Sequence, residues 1–482
     1  MLFNSFQFLV FLPVVFLLYW FVFRERRWQN ALVIAASYIF YGWWDWRFLG
    51  LILLTSLCSY ASGLLIEHYE GNRRCQRLVS GANIVVNLLI LGYFKYFNFF
   101  VDNLNVLLHS LTGYQLDWVT TDIILPVGIS FYTFQALSYT IDVYRRQIRA
   151  THDVIEFCAY ISFFPQLVAG PIERATNLLP QFQRERQFDY SRAVDGLRQM
   201  LWGFLKKLVV ADNCATIVNT LWNSYDSLSG ASVFILGVMF TLQIYCDFSG
   251  YSDIAIGCAR LFGFNLMRNF NFPYFSRDIP EFWRRWHISL TTWFRDYIYI
   301  PLGGNRCGRG RMMANVLIVW AVSGLWHGAN WTFICWGLYH AVLLIIYNVL
   351  GISSKHKAIV ARGRLLPTIG EACQMVLTFV LAVIGWIIFR CEDMTQAVHF
   401  ISHMFTSLLD GPLVIYGRKG LLMGVIVLVV EWLQRDKQHA LQIDPARGLL
   451  KFSVIRYLIY ITILLAMFFL AGQVQTFIYF QF

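Results

Sequence analysis

Charge is scarce in this chain. Asp, Glu, Lys and Arg make up only 14% of its 482 residues, against about 25% in a typical soluble domain, and mean hydropathy is +0.53. That balance excludes a soluble globular protein. The ten cysteines form no Cys-x-x-Cys pair and lie mostly in apolar runs, which argues against both a structural zinc site and a disulfide framework, so no metal is expected. Gly303 and Gly304 are too short a run for a phosphate loop. The opening MLFNSFQFLVFLPVVFLLYWFVF lacks a basic leader and a small-residue cleavage site, so it is expected to be a retained first span. A net charge of +11 invites a nucleic-acid partner. The basic residues, however, fall in short clusters between apolar runs, where membrane proteins carry them for topology, and no nucleic acid is expected.

What is present is apolar sequence from end to end. Candidate spans fall at 6–23, 30–44, 47–65, 80–101, 122–141, 154–170, 231–250, 313–331, 333–350, 372–390, 420–433 and 457–472. The expected fold is an all-α integral membrane protein of about 11–13 spans in one domain covering 1–482, with re-entrant or interfacial helices and a central buried cavity. Several candidates are shorter than the ~20 residues that cross ~30 Å of hydrocarbon, so some must be tilted, re-entrant or enclosed by neighbours.

Positive residues orient the chain. Arg24, Arg26 and Arg27 follow the first span, Arg73, Arg74 and Arg77 the third, and Arg145, Arg146 and Arg149 the fifth. Residues 102–122 carry no Lys or Arg but have Asp102, Asp117 and Asp122. Both termini are therefore expected outside. The same rule puts Arg306, Arg309, Arg311, Lys355, Lys357, Arg362, Arg364, Arg435, Lys437, Arg447 and Lys451 in the cytoplasm.

The stretch from Glu281 to Thr332 concentrates the chemistry. Glu281, Arg284, Arg285, His287, Arg295 and Asp296 interleave with Phe282, Trp283, Trp286, Leu290, Trp293 and Phe294 at helical spacing, the pattern of an interfacial or re-entrant helix whose Trp283 and Arg284 border a cavity. From a cytoplasmic boundary at residue 312, a helix at about 1.5 Å per residue carries His327 about 22 Å inward. Gly328, Ala329 and Asn330 break the run there, and a non-helical break at such depth requires protein or a water-filled cavity around it. Asp247 and Asp253 also lie in an apolar region and need partners, either an arginine of 284–285 or a site role.

The motifs FWRRWHISLTTWFRDYIYIPLGGNR and SGLWHGANWTFICWGLYHA resemble the membrane-bound O-acyltransferase family, in its bacterial alginate O-acetyltransferase branch. ASYIFYGWW, LILGYFKYFNFF, LPVGISFYTFQALSYTIDVYR, FFPQLVAGPIER and YCDFSGYSDIAIG fit the same branch, with the core motifs at 240–350. The resemblance implies a bacterial inner-membrane, multi-pass enzyme. It would take an acetyl group from acetyl-CoA or an acyl-carrier thioester, with no permanently bound cofactor, and deliver it to an extracytoplasmic polysaccharide such as alginate, cellulose or peptidoglycan through an SGNH-like extracytoplasmic partner. The family's near-invariant histidine matches His327 and its second polar position His287. Imidazole suits the reaction, because a base of pKa near 7 can take the proton of a hydroxyl as it attacks a thioester. The oxyanion that forms needs donors, for which His287 or the Asn330 amide are candidates. Arg306, Arg309 and Arg311 are candidates for the donor's phosphates, although topology alone accounts for them. The aromatic tail at 473–482 ends FIYFQF. It resembles the C-terminal motif of a small companion protein in bacterial D-alanylation, which makes Tyr479 a candidate acyl relay; the alternative is an interfacial aromatic anchor. The rival class is a transporter, for which inverted repeats would speak, and the chain has no self-similar halves.

Overall fold

The computed structural model describes residues 1–113, 123–168, 170–352, 358–408, 410–444 and 448–480. Asp117, Asp122, Lys355, Lys357, Arg447, Gln481 and Phe482, on which part of the predicted topology and tail rests, lie outside the described residues. Among the described residues every regular element is a helix.

Among the described residues, six helical stretches are long and apolar enough to cross a membrane. Two of them, Arg26–His68 and Arg73–Thr112, run 43 and 40 residues, and the first joins the predicted segments 30–44 and 47–65 through a single 3-10 turn at Trp46–Phe48. The others are Gly230–Leu261, Trp331–Val349, Ile369–Arg390 and Ser453–Leu470. The predicted 122–141 and 154–170 shrink to helices Ile129–Tyr144 and Val154–Ser162, with a break at Phe163 before the short Phe164–Leu167 turn.

The chain divides into two compact units. Residues 1–189 and 262–266 form the first. Its centre is Ile129–Tyr144, buried along nearly its whole length. Gly63 lies directly under the Tyr139 ring, where a Cβ would collide, and Asn83 Nδ2 donates to Thr140 Oγ1 at 2.7 Å. Arg186 donates to Asn30 Oδ1 at 2.8 Å and stacks 5.0 Å from the Phe264 ring centroid. Partial burial of its charge is tolerable because the guanidinium is hydrogen-bonded to neutral oxygens and stacked on a ring.

Residues 190–261 and 267–482 form the second unit. Its axis is the 32-residue helix Gly230–Leu261, of which nearly every side chain is buried. The helix Tyr190–Leu205 runs antiparallel along it, and glycines meet where the two cross. A Cβ on Gly203 would strike the Gly250 carbonyl, and one on Gly257 the Gly196 carbonyl. Small residues at a helix crossing let the backbones approach closely. Tyr190–Leu205 then widens into a π-helical stretch at Lys206–Ala211, and this turns two lysines toward the acidic face of Gly230–Leu261.

Candidate active site

The predicted amphipathic helix at 281–300 is not continuous. It forms two seven-residue helices, Ile279–Arg285 and Ile288–Phe294, hinged at His287. His287 adopts φ 44°, ψ 53°, a left-handed conformation that a non-glycine residue enters at a cost of about 1–3 kcal/mol. Asn269 holds it there. The Asn269 main-chain carbonyl accepts from Ile288 N–H at 2.9 Å, and its side-chain Oδ1 accepts from Ser289 Oγ at 2.9 Å and lies 3.0 Å from His287 Nδ1. Asn269 Nδ2 donates to Ser252 Oγ at 3.2 Å, which fixes the amide's orientation from its network. An oxygen facing Nδ1 requires the proton on Nδ1. Neutral His287 therefore presents the lone pair of Nε2, a buried atom with no hydrogen-bond partner among the described residues. In this tautomer Nε2 is an acceptor, and the oxyanion-donor role expected for His287 requires a second proton on the ring.

His327 is the last residue of the helix Arg309–His327. At 1.5 Å per residue the climb from Arg309 is about 27 Å. The next helix, Trp331–Val349, folds back against it, and the hairpin is tight because Gly324 and Gly337 leave no side chain between the backbones. The turn begins with extended Gly328, and the His327 ring sits among Trp326, Trp336 and Phe389, with centroids 4.8, 5.0 and 5.3 Å away. It is 5% exposed, and His287 is 1% exposed.

Both imidazoles line one cavity of about 330 Å³. Its wall is largely apolar, with Trp283, Leu290, Val319 and Trp320, and Arg284, Arg295, Tyr299 and Asn305 add polar groups. Trp283 and Arg284 thus border a cavity, as their spacing predicted. A third buried histidine, His340, fixes the tryptophan: Trp283 Nε1 donates to His340 Nδ1 at 3.3 Å. A largely apolar chamber with a few polar groups and two imidazoles has the make-up of a small-molecule site.

The 471–480 segment meets the same imidazoles without belonging to the cavity lining. The Tyr479 ring centroid is 5.7 Å from that of His327, 6.3 Å from that of His287 and 4.4 Å from that of Phe248. Phe477 and Ile478 are each 1% exposed, with the Phe477 ring tilted against that of Tyr251 at a centroid distance of 4.4 Å. Residues packed this deeply in protein do not serve as an anchor in the lipid interface. Sequence reasoning missed what ties the segment down: Lys207 Nζ donates to the Gln475 carbonyl at 3.1 Å, and Ile478 N–H donates to Asp247 Oδ2 at 2.8 Å.

The remaining predicted residues lie elsewhere. Asn330 caps Trp331–Val349, its Oδ1 accepting from Thr332 N–H at 3.0 Å and its Nδ2 donating to the Glu392 carbonyl at 2.7 Å. Its amide is engaged away from the cavity lining. Arg306, Arg309 and Arg311 are exposed and outside that lining, which has Arg284 and Arg295 in their place. Asp247 and Asp253 are not paired with Arg284 or Arg285. Arg285 pairs with Glu281 at 2.7 Å, while Asp253 pairs with Lys206 and Asp247 with Lys207, both at 2.7 Å. Two adjacent lysines in the apolar run WGFLKKLVV were the available signal.

Residues 38–384 match the family described as MBOAT, membrane-bound O-acyltransferase family. The chain is 42% identical over 407 residues to a probable alginate O-acetylase, AlgI, of Pseudomonas aeruginosa, covering 84% of this chain and 75% of that one. It is 32% identical over 434 residues to a peptidoglycan O-acetyltransferase of Helicobacter pylori, covering 84% and 80%. A teichoic acid D-alanyltransferase of Bacillus subtilis is 29% identical over 233 residues, covering 46% and 58%.

Proposed function

Because the chain belongs to the membrane-bound O-acyltransferase family and is a multi-pass membrane acyltransferase, we propose that it moves an acetyl group from a cytoplasmic thioester to an extracytoplasmic polysaccharide by way of Tyr479. The observation that carries this reading is the contact of one tyrosine ring with two imidazoles that also line a cavity. The thioester, acetyl-CoA or an acyl carrier, enters the cavity with its acyl end toward the histidines. His327, the nearer imidazole, takes the phenolic proton as Tyr479 Oη attacks the carbonyl carbon. A new C–O bond forms, the C–S bond breaks, and the proton passes from the imidazolium to the departing thiolate. His287 Nε2, held as an acceptor by Asn269, is the second proton acceptor beside the same phenol. The tyrosyl ester then passes its acetyl group to an acceptor hydroxyl on an SGNH-like partner or on the polymer, and the phenol regains its proton. Alginate or peptidoglycan is the acceptor class favoured by the activities for which the relatives are named. On this reading the inner membrane houses the enzyme, with both termini outside.

The test follows the label. Purified protein in nanodiscs receives radiolabelled acetyl-CoA, and the label is sought in water, histidine, Tyr479 and added glycan. Wild-type protein carries it on Tyr479. His327→Ala loses thioester cleavage by roughly 10²- to 10⁴-fold, the usual share of a general base. Tyr479→Phe keeps the ring and the packing but removes the oxygen, and polymer acetylation stops. Full acetylation by Tyr479→Phe would reject the relay.

A further inference from the structure

The relay needs Tyr479 held still, and the buried charges beside it are arranged to do so. Lys207 and Asp247 are each 2% exposed and are paired at 2.7 Å, with Asp212, itself buried, 2.9 Å from the same ammonium. A cation with two carboxylates in an apolar interior is retained only where each charge has partners. Here the cluster reaches beyond itself, and the chemistry does not use it. Its outward bonds reach main-chain groups of the 471–480 segment, among them Lys207 Nζ to the Gln475 carbonyl and Asp247 Oδ2 from the Ile478 N–H. The second lies one residue before Tyr479. Two further ties hold the start of the segment, Gly472 N–H to the Leu208 carbonyl at 2.9 Å and Asn213 Nδ2 to the Leu470 carbonyl at 2.9 Å.

We infer that Lys207 and Asp247 are positioning residues, an ion pair that grips the backbone on either side of Phe477 and thereby seats Tyr479 between His287 and His327. Both bonds go to main-chain groups, so neither uses a side-chain atom of Gln475 or Ile478. The inference rests on the relay reading for its purpose but not for its geometry, so the two can fail separately.

Hydrogen exchange of the full chain in nanodiscs, read by mass spectrometry without any acyl donor, tests the grip directly. Asp247→Leu removes the acceptor and is expected to speed exchange in peptides spanning 473–480 by roughly ten- to a hundredfold, the consequence of one lost buried charge-assisted bond. Asp247→Asn retains an acceptor oxygen and is expected to stay within about threefold of wild type. Because Asp247→Leu leaves Lys207 poorly compensated and can fail to fold, the same bond is cut from the other side. Ile478→Pro removes the donor N–H and leaves the cluster whole, with Ile478→Ala as the control for the lost side chain. Proline suits the first position of the short Ile478–Phe480 turn. Exchange in Ile478→Pro should exceed that in Ile478→Ala by about tenfold, and the Asp247→Leu, Ile478→Pro double variant should add little to either single change. Peptides from Gly230–Leu261 should remain within about twofold of wild type, since only the segment is released.

A segment that stays protected in Ile478→Pro and Asp247→Leu overturns the inference, and so does loosening spread equally through Gly230–Leu261, which would make the cluster a general structural element. If the segment is released and labelled acetyl-CoA still delivers acetyl to polymer at the wild-type rate, the grip stands and the relay falls.

Discussion

Two buried polar clusters in the second unit differ in how completely their groups are paired. Around Lys206, every strong group has a partner: Asp253 at 2.7 Å, Ser249 Oγ at 2.8 Å, Glu431 at 3.7 Å, and Glu431 in turn accepting from Tyr245 at 2.7 Å and from Trp202 at 3.3 Å. Around His287, which lines the cavity, one nitrogen is engaged by Asn269 and the other has no hydrogen-bond partner among the described residues. Charge density alone would pick the lysine cluster as the site. The comparison points the other way: in an apolar interior, paired charge fixes helices, whereas a weak base with an unengaged nitrogen on the wall of a cavity has the chemistry to take a proton.

The contrast can be broken, beginning with its largest expected effect. Lys206→Met strands the carboxylates of Asp253 and Glu431 and should lower stability by about 3–5 kcal/mol, read as the midpoint of thermal unfolding in detergent. His327→Ala should show the reverse pattern, with cleavage lost and the unfolding midpoint lowered less than in Lys206→Met, since it leaves a cavity but no stranded charge. Asn269→Leu probes the clamp between the two properties. It frees the His287 ring and leaves its Nδ1–H without the oxygen, so thioester cleavage should fall roughly five- to a hundredfold. An unchanged rate would mean that the tautomer of His287 is immaterial. Asn330→Ala should be the mildest, lowering stability by about 1 kcal/mol through the lost helix cap, with cleavage of the thioester held within about twofold. A larger loss of rate would return Asn330 to the site.

How much of this was legible depended on how local the cause was. Apolar runs announce helices, so the helical membrane class and most segments could be read directly. The helix end at His327 could be read as well, because Gly328 and Asn330 follow at once. The partner of Arg285 was within reach too, since Glu281 stands one helical turn away. The hinge at His287 was not, because the residue that stabilises its left-handed backbone is Asn269, in a loop that periodicity does not join to it. The same holds for the lysines. Their pairing with Asp247 and Asp253 depends on glycines at an antiparallel helix crossing, and the grip of Lys207 on Gln475 closes across 268 positions of sequence. Helical spacing at 281–300 misled for a related reason: seven residues on either side of a hinge keep the same periodicity as one unbroken helix.

The left-handed turn at His287 has an evolutionary side. Glycine would occupy that backbone without strain, so a search for more stable variants, by selection or by design, is drawn toward replacing the very imidazole that faces the cavity. A sequence that keeps histidine there forgoes thermal robustness at that position, and a gain in melting temperature with loss of turnover in His287→Gly would be the signature of that trade.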